Sequence, residues 1–183
     1  MERRLQIVSC ARDLFEKQGL SKTSVRSITD QLGVTRTLLY HYFADKDELV
    51  AAVLDDYVAE FVEELRAWND QRDKQDVEGS LDGLVDLMRT IVLENGTFRR
   101  ALASHENAAL YIAFVNRVAE RMSSELMSTT MMDYARTHEI EIDHVYETIY
   151  TLIVGITGYI RSHPDVGNDV LKDIIAQTLH FKR

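Results

Sequence analysis

One cysteine and one proline in 183 residues exclude two familiar ways of holding a small fold together. A lone cysteine forms no internal disulfide. The charged start Met1-Glu2-Arg3-Arg4, followed by Arg12-Asp13, does not read as an export signal, so the chain is expected in the cytoplasm. A single proline and 8 glycines are too few for a many-turned all-β protein, and long helices joined by short loops fit better. Long apolar runs are also lacking: the weakly polar stretch from Ile149 to Ile160 is only 12 residues, too short to span a bilayer. What is present is enough apolar material, 45%, for a packed core. Positive charge is scarce overall, with a net charge of −9, but unevenly so. Residues 1–49 hold 8 basic and 7 acidic side chains, against 13 and 23 in residues 50–183. The acidity belongs to the larger C-terminal part, so the low isoelectric point says little about the first fifty residues.

Helical periodicity predicts a first helix over about Arg4 to Gln18, with Ile7, Val8, Ala11, Leu14 and Phe15 inward and Gly19 as its stop. Cys10 adjoins that face and reads as a small buried residue. Thr23 or Ser24 can cap a second helix through Leu32, Gly33 makes a turn, and Thr35 can cap a third helix through about Tyr42. Asp45, with Glu48 three residues on, predicts a capping box for a long fourth helix from Lys46 to Trp68. Asn69 to Gly79 reads as helix end plus loop. Further helices are expected over Ser80–Glu94, Phe98–Ser104, a seventh opening at Ala108, an eighth to Ser162 and a ninth over about Gly167–Phe181. The eight apolar residues from Ala108 to Val115 predict that the seventh runs, enclosed on all sides, through the middle of its domain.

The most informative stretch is Lys22 to Leu49. It places two short helices around a glycine turn before a capped helix, with no acidic residue between Gly33 and Ala44. Such a pattern suits a polar helix face laid against a polyanion. With the third helix in a DNA major groove, Arg36 is the best base reader, because its planar fork can bond guanine O6 and N7 together. Thr37 offers a hydroxyl and a methyl, and Leu38 can meet a thymine methyl. Thr23, Ser24, Thr35, Tyr40, His41, Tyr42 and Lys46 are donors suited to phosphates. Arg26 has two readings, a phosphate contact or a surface ion pair with Asp30. Leu39 and Phe43 are spaced to face the core.

The run Gly33-Val34-Thr35-Arg36-Thr37-Leu38-Leu39-Tyr40-His41-Tyr42-Phe43-Ala44-Asp45-Lys46-Asp47-Glu48-Leu49 resembles the signature of tetracycline-repressor-type (TetR family) transcriptional regulators. Ile7, Ala11, Phe15, Gly19, Thr23, Val25 and Ile28 fall where that family's first two helices place such residues. The resemblance implies an all-α fold of about nine helices. A three-helix helix-turn-helix DNA-binding domain would occupy 1–48, and a helical effector-binding and dimerisation domain 49–183. It further implies a homodimer that reads a two-fold symmetric double-stranded operator, regulates transcription as a repressor, and is released by a small-molecule effector.

In that family the last two helices of each subunit pack as an intermolecular four-helix bundle. Ile149, Ile153, Ile156 and Ile160 of the eighth helix, with Leu171, Ile175 and Leu179 of the ninth, are the expected interface. The competing reading is that these faces complete the subunit's own core. The family's small-molecule pocket implies Phe61, Trp68, Met88, His105, Tyr111, Phe114, Met122 and Tyr150 as candidate lining residues. No basic cluster dominates this part, so a neutral, apolar or cationic effector is expected. No cofactor and no metal site are expected: His138, Glu139, Glu141, Asp143 and His144 read as a solvated connection. The second histidine that a zinc-protease motif needs after His105-Glu106 or His138-Glu139 is Ala109 or Ile142. No enzymatic function is therefore expected. A cofactor-independent enzyme and a helical protein-interaction adaptor are the alternatives.

Overall fold

The computed structural model describes residues 2–93 and 107–181. Every regular element among them is helical. In chain order these are α1 (Glu2–Gln18), α2 (Val25–Leu32), α3 (Arg36–Tyr42), α4 (Lys46–Gln71), α5 (Val77–Leu93), α6 (Ala108–Ser128), α7 (Thr130–Tyr134), α8 (Val145–Ser162) and α9 (Asn168–Thr178). Two units emerge from the packing: Met1–Ala59 with Asn95–Phe114, and Glu60–Glu94 with Val115–Arg183. The helix expected over Phe98–Ser104 lies outside the described residues.

In the first unit α1 packs on α2 and α2 on α3. The boundaries follow local chemistry. Ser24 caps α2 through the Ser27 N–H at 3.1 Å, and the Ser27 hydroxyl accepts the Ser24 N–H at 3.0 Å, a reciprocal box that satisfies two otherwise free donors. Gly33 closes α2 at φ 66°, where a side chain would be strained, while the Val34 N–H returns to the Thr29 carbonyl at 3.0 Å. Thr35 caps α3 through the Leu38 N–H at 3.2 Å. Asp45 caps α4 through the Glu48 N–H at 2.8 Å, and the Glu48 carboxylate takes the Ala44 N–H at 2.6 Å. Ile7, Phe15, Ile28, Leu39, Phe43 and Leu49 are fully enclosed. Cys10 is buried with them, and burial followed by the Asp13 charge raises its thiol pKa.

The first unit also joins α1 to α4 electrostatically. Arg12 pairs with Asp56 at 2.7 Å and lies 4.0 Å over the Tyr57 ring, whose hydroxyl donates to Glu16.

In the second unit α5 packs on α8 and α9, which also pack together. Lys172 on α9 is buried against three carboxylates, Glu78 at 2.7 Å, Asp82 at 2.9 Å and Asp169 at 3.4 Å. Arg89 reaches from α5 to Asn168 at 2.6 Å, to the Pro164 carbonyl at 3.1 Å and to the Val166 carbonyl. The C-terminal helix is thus held by charge as well as by Leu171, Ile175 and Leu179.

Three sequence expectations need correction. α5 starts at Val77 rather than Ser80, because Asp76, inside the acidic stretch, accepts the Gly79 N–H at 2.8 Å and acts as a start signal. Residues 130–134 form an additional short helix. The apolar opening of α6 is not enclosed: Ala108 and Ala109 are exposed and Ile112 is 59% exposed. Leu110, Tyr111 and Ala113 are half-buried and full burial begins at Phe114 and Val115, since two exposed alanines and one isoleucine cost little in water.

Gly83 on α5 lies directly under the Trp68 indole, and a Cβ there would overlap its Nε1 edge. Gly83→Ala gains about 1 kcal/mol of helix propensity but forces the rigid ring to move, at about 1–3 kcal/mol. A net fall in Tm and a shifted emission from this single tryptophan are expected in thermal melts followed by fluorescence.

A second prediction concerns Asp133 on α7. Lys74 at 2.8 Å, with Arg136 and Arg72 at 3.5 and 3.2 Å, holds its carboxyl pKa below the ordinary 3.8. A depressed folded pKa stabilises above the unfolded value, and that stability is lost as pH falls through the folded one. Asp133→Asn should therefore lower Tm at pH 7 and much less at pH 3; equal losses at both would contradict this account.

Candidate nucleic-acid interface and effector cavity

α3 is two-sided. Leu39 and the following Phe43 are buried at 0% and 1%, while Thr35, Arg36, Thr37 and His41 are exposed and Tyr40 is 50% exposed. Leu38 and Tyr42 are half-buried at the margins. The apolar anchors fix the helix on α2 and leave one guanidinium, several hydroxyls and an imidazole outward. His41 and Tyr42 meet edge to face at 5.2 Å between centroids. Thr35 spends one acceptor lone pair on its cap, which leaves its O–H to donate outward, whereas the Ser24 hydroxyl accepts the Ser27 N–H and donates to the Ser27 hydroxyl at 3.4 Å. Arg26 does pair with Asp30, at 3.4 Å, but both are strongly exposed, and such a pair is worth about 0–1 kcal/mol at most. Arg26 remains available to a phosphate.

Two residues of the expected phosphate set are placed otherwise. Thr23 is 1% exposed and its hydroxyl is turned inward to the Gly19 carbonyl at 2.9 Å and the Leu14 carbonyl at 3.3 Å. It ties the end of α1 to the start of α2 and has no outward face. Lys46 is half-buried, with its ammonium on the Leu20 carbonyl at 2.8 Å; burial lowers its pKa, and contact with a phosphate requires leaving that carbonyl. Sequence reasoning passed over Arg4, which lies 5.0 Å over the Phe43 ring at the end of α3; the signal was a basic residue at helical spacing from Ile7 and Ala11.

The expected dimer residues are placed as follows. Ile149, Ile153, Ile156, Ile160, Leu171, Ile175 and Leu179 are all buried within a single chain. They pack in the subunit's own core, and Ile156 and Leu171 also line the groove on its surface. The physical reason is that α8 and α9 each carry two apolar stripes, and periodicity alone does not say which one turns inward. The outward stripe holds Leu152, Gly155 and Tyr159 on α8 with Ile174 on α9, which line an open apolar groove together with Ile156 and Leu171, and Val170 is exposed on the same helix. At Gly155 and Gly158 a Cβ would meet nothing, so the chain's own packing does not require glycine there.

A second, inner cavity of the second unit lies among α5, α6, α7, α8 and α9, bounded by Leu84, Met88, Leu126, Met131, Ile153 and Leu179 among others. Of the eight candidate effector residues Met88 lines it. Phe61 and Met122 are buried, and Tyr150 is half-buried, elsewhere in that unit. Trp68 lies over Gly83, Tyr111 and Phe114 belong to the first unit, and His105 lies outside the described residues. His138 stacks on Tyr134 at 4.3 Å, and among the described residues no group of three His, Cys, Asp or Glu could hold a metal ion. Nor, among them, is any helix long and apolar enough to cross a membrane.

Comparison with known proteins places the family match in the same N-terminal unit. Residues 7–53 match the family described as bacterial regulatory proteins, tetR family. The HTH-type transcriptional regulator TtgR of Pseudomonas putida is 33% identical over 99 residues, covering 54% of this chain and 47% of that protein. The HTH-type transcriptional repressor KstR2 of Mycolicibacterium smegmatis is 38% identical over 56 residues, 31% of this chain and 27% of its own length. The chain thus spans less than half the length of these curated relatives. Among solved structures, the TetR family repressor AlkX of Dietzia sp. superposes with a TM-score of 0.69 at 18% identity, covering 97% of this chain and 95% of AlkX. That likeness concerns the fold.

Proposed function

We propose that this chain, which belongs to the tetR family of bacterial regulatory proteins by its residues 7–53, is a sequence-specific DNA-binding transcriptional regulator. It acts as a repressor and leaves a two-fold symmetric operator when a small-molecule effector binds. The observation that carries this reading is the two-sidedness of α3. Leu39 and Phe43 lock the helix down, and Arg36, Thr37, Tyr40 and His41 face outward with no acidic residue from Val34 to Phe43.

In this reading α3 lies in the major groove, Arg36 reads a guanine, and Thr37 and Leu38 read neighbouring base edges. Ser24, Arg26, Thr35, Tyr40, His41 and Tyr42 hold phosphates on either side. Residues 1–48 are the DNA-binding domain and residues 49–183 the effector-binding and dimerisation domain. Two copies pair through the outward stripe of α8 and α9 rather than the inward one. Gly155 and Gly158 then admit a close neighbour, and Tyr159, Val170 and Ile174 leave water on association. The protein works in the cytoplasm, without enzymatic activity. Selection of bound duplexes from a random pool tests the proposal: an enriched inverted repeat is expected, and the absence of any enriched duplex at low salt overturns it.

A further inference from the structure

Three of the five arginines on α1, α2 and α3 are occupied by other side chains. Arg3 donates to Gln6 at 2.8 Å, Arg12 pairs with Asp56 and Arg26 with Asp30. Among the described residues, Arg4 and Arg36 have no carboxylate or amide partner. Glu2, two residues before Arg4, makes no ion pair with it. Arg4 lies instead over the Phe43 ring, 5.0 Å from its centroid, and stays exposed. A guanidinium held over a ring is restrained by that contact, while the N–H groups at its rim remain free to donate.

The place of this guanidinium gives it a use. Arg36 is the first residue of α3, and Phe43 directly follows Tyr42, the last. α3 has 7 residues, about 10 Å at the standard rise. Two unpaired guanidiniums therefore stand at opposite ends of α3, one on its own first turn and the other brought from α1. The two ends of a recognition helix meet different parts of a duplex: the first turn points at base edges, and the last nears the phosphate backbone. The last turn also carries the free carbonyls and the negative end of the helix dipole, which repel a phosphate. The only basic residue α3 itself has there is His41. A cation supplied from α1 offsets that repulsion.

We propose that Arg4 is a phosphate clamp of the DNA interface, held ready by the Phe43 ring, so that the interface extends beyond α2 and α3 onto the first turn of α1. This deepens the proposed function and rests on its placement of α3 in a groove. Arg36 supplies base preference at one end of α3, and Arg4 supplies grip without base preference at the other. Phe43 is 1% exposed and belongs to the core that anchors α3, so any displacement of the helix carries the ring, and the clamp with it.

The test uses the full chain and a duplex selected from a random pool, with affinity measured across a salt series. A parent chain that binds no duplex refutes the regulator reading itself. With the parent bound, Arg4→Ala should weaken binding at least about tenfold. It should also reduce the slope of log affinity against log salt by about 1 per copy and leave base preference unchanged. Lys17→Ala removes the same charge from an exposed site about 20 Å further along α1 and should change neither affinity nor slope. Arg4→Lys keeps the charge without the planar fork, so it should keep the slope and lose about threefold in affinity. In a Phe43→Leu background, Arg4→Ala should cost less than in the parent, because no ring remains to hold the guanidinium. An Arg4→Ala protein with the parent's slope, or with altered base preference, overturns the clamp, as does an equal change from Lys17→Ala. Equal costs with and without the ring, or an Arg4→Lys protein as tight as the parent, overturn the part given to Phe43.

Discussion

Arg36→Ala should weaken operator binding by about 1–3 kcal/mol per half-site and relax base preference at one position in each half. The expectation rests on exposure and reach. Arg36 is the first residue of α3, capped by Thr35, so its fork projects from the end of the helix that enters a groove first. In a symmetric complex the loss occurs twice, so overall affinity should fall by roughly two orders of magnitude or more. The control is Arg26→Ala, which removes the proposed phosphate contact. It should weaken all duplexes alike and reduce the slope of log affinity against log salt by about 1. Competition binding with single-base operator variants separates the two. An Arg36→Ala protein that discriminates every base as the parent does would show that α3 is not the reading helix.

Ile160→Ala should cost about 2–5 kcal/mol of folding stability, because the side chain is completely enclosed within one chain and its removal leaves a cavity. The Tm loss should be the same at low and high protein concentration, since a residue of the subunit core acts before any association. Ile174→Asp should do the opposite. Its side chain is 39% exposed beside the groove, so the folded chain tolerates a carboxylate there, but a second copy would have to bury it. The variant should melt near the parent's Tm at dilution, sediment as a monomer and lose most of its operator affinity. A dimeric Ile174→Asp protein would move the interface elsewhere.

The contrast between these two substitutions shows where the sequence was legible. Rules acting over three or four residues were readable: Ser24, Gly33, Thr35 and Asp45 mark boundaries of α2, α3 and α4, and the burial of Leu39 and Phe43 followed from spacing. So did the outward placement of Arg36. Rules needing a partner in space were not. Thr23 and Ser24 are adjacent hydroxyls, and only the fold shows that one turns in to Leu14 and Gly19 while the other caps. Lys46 looked like a free cation until Leu20 took it. On α8, Ile149, Ile153, Ile156 and Ile160 make a stripe as convincing as Leu152, Gly155 and Tyr159, and spacing alone did not show that the isoleucines pack within the chain. The cavity was missed, apart from Met88, because its walls come from five helices distant in sequence.

Cys10 offers a practical consequence. Buried on α1, with its thiol held in the unreactive protonated form, it should resist alkylating reagents while the first unit stays closed, and every molecule carries only this one. Its labelling rate therefore clocks transient opening of the reading head, and slower labelling in the presence of operator would measure how firmly DNA clamps that opening shut.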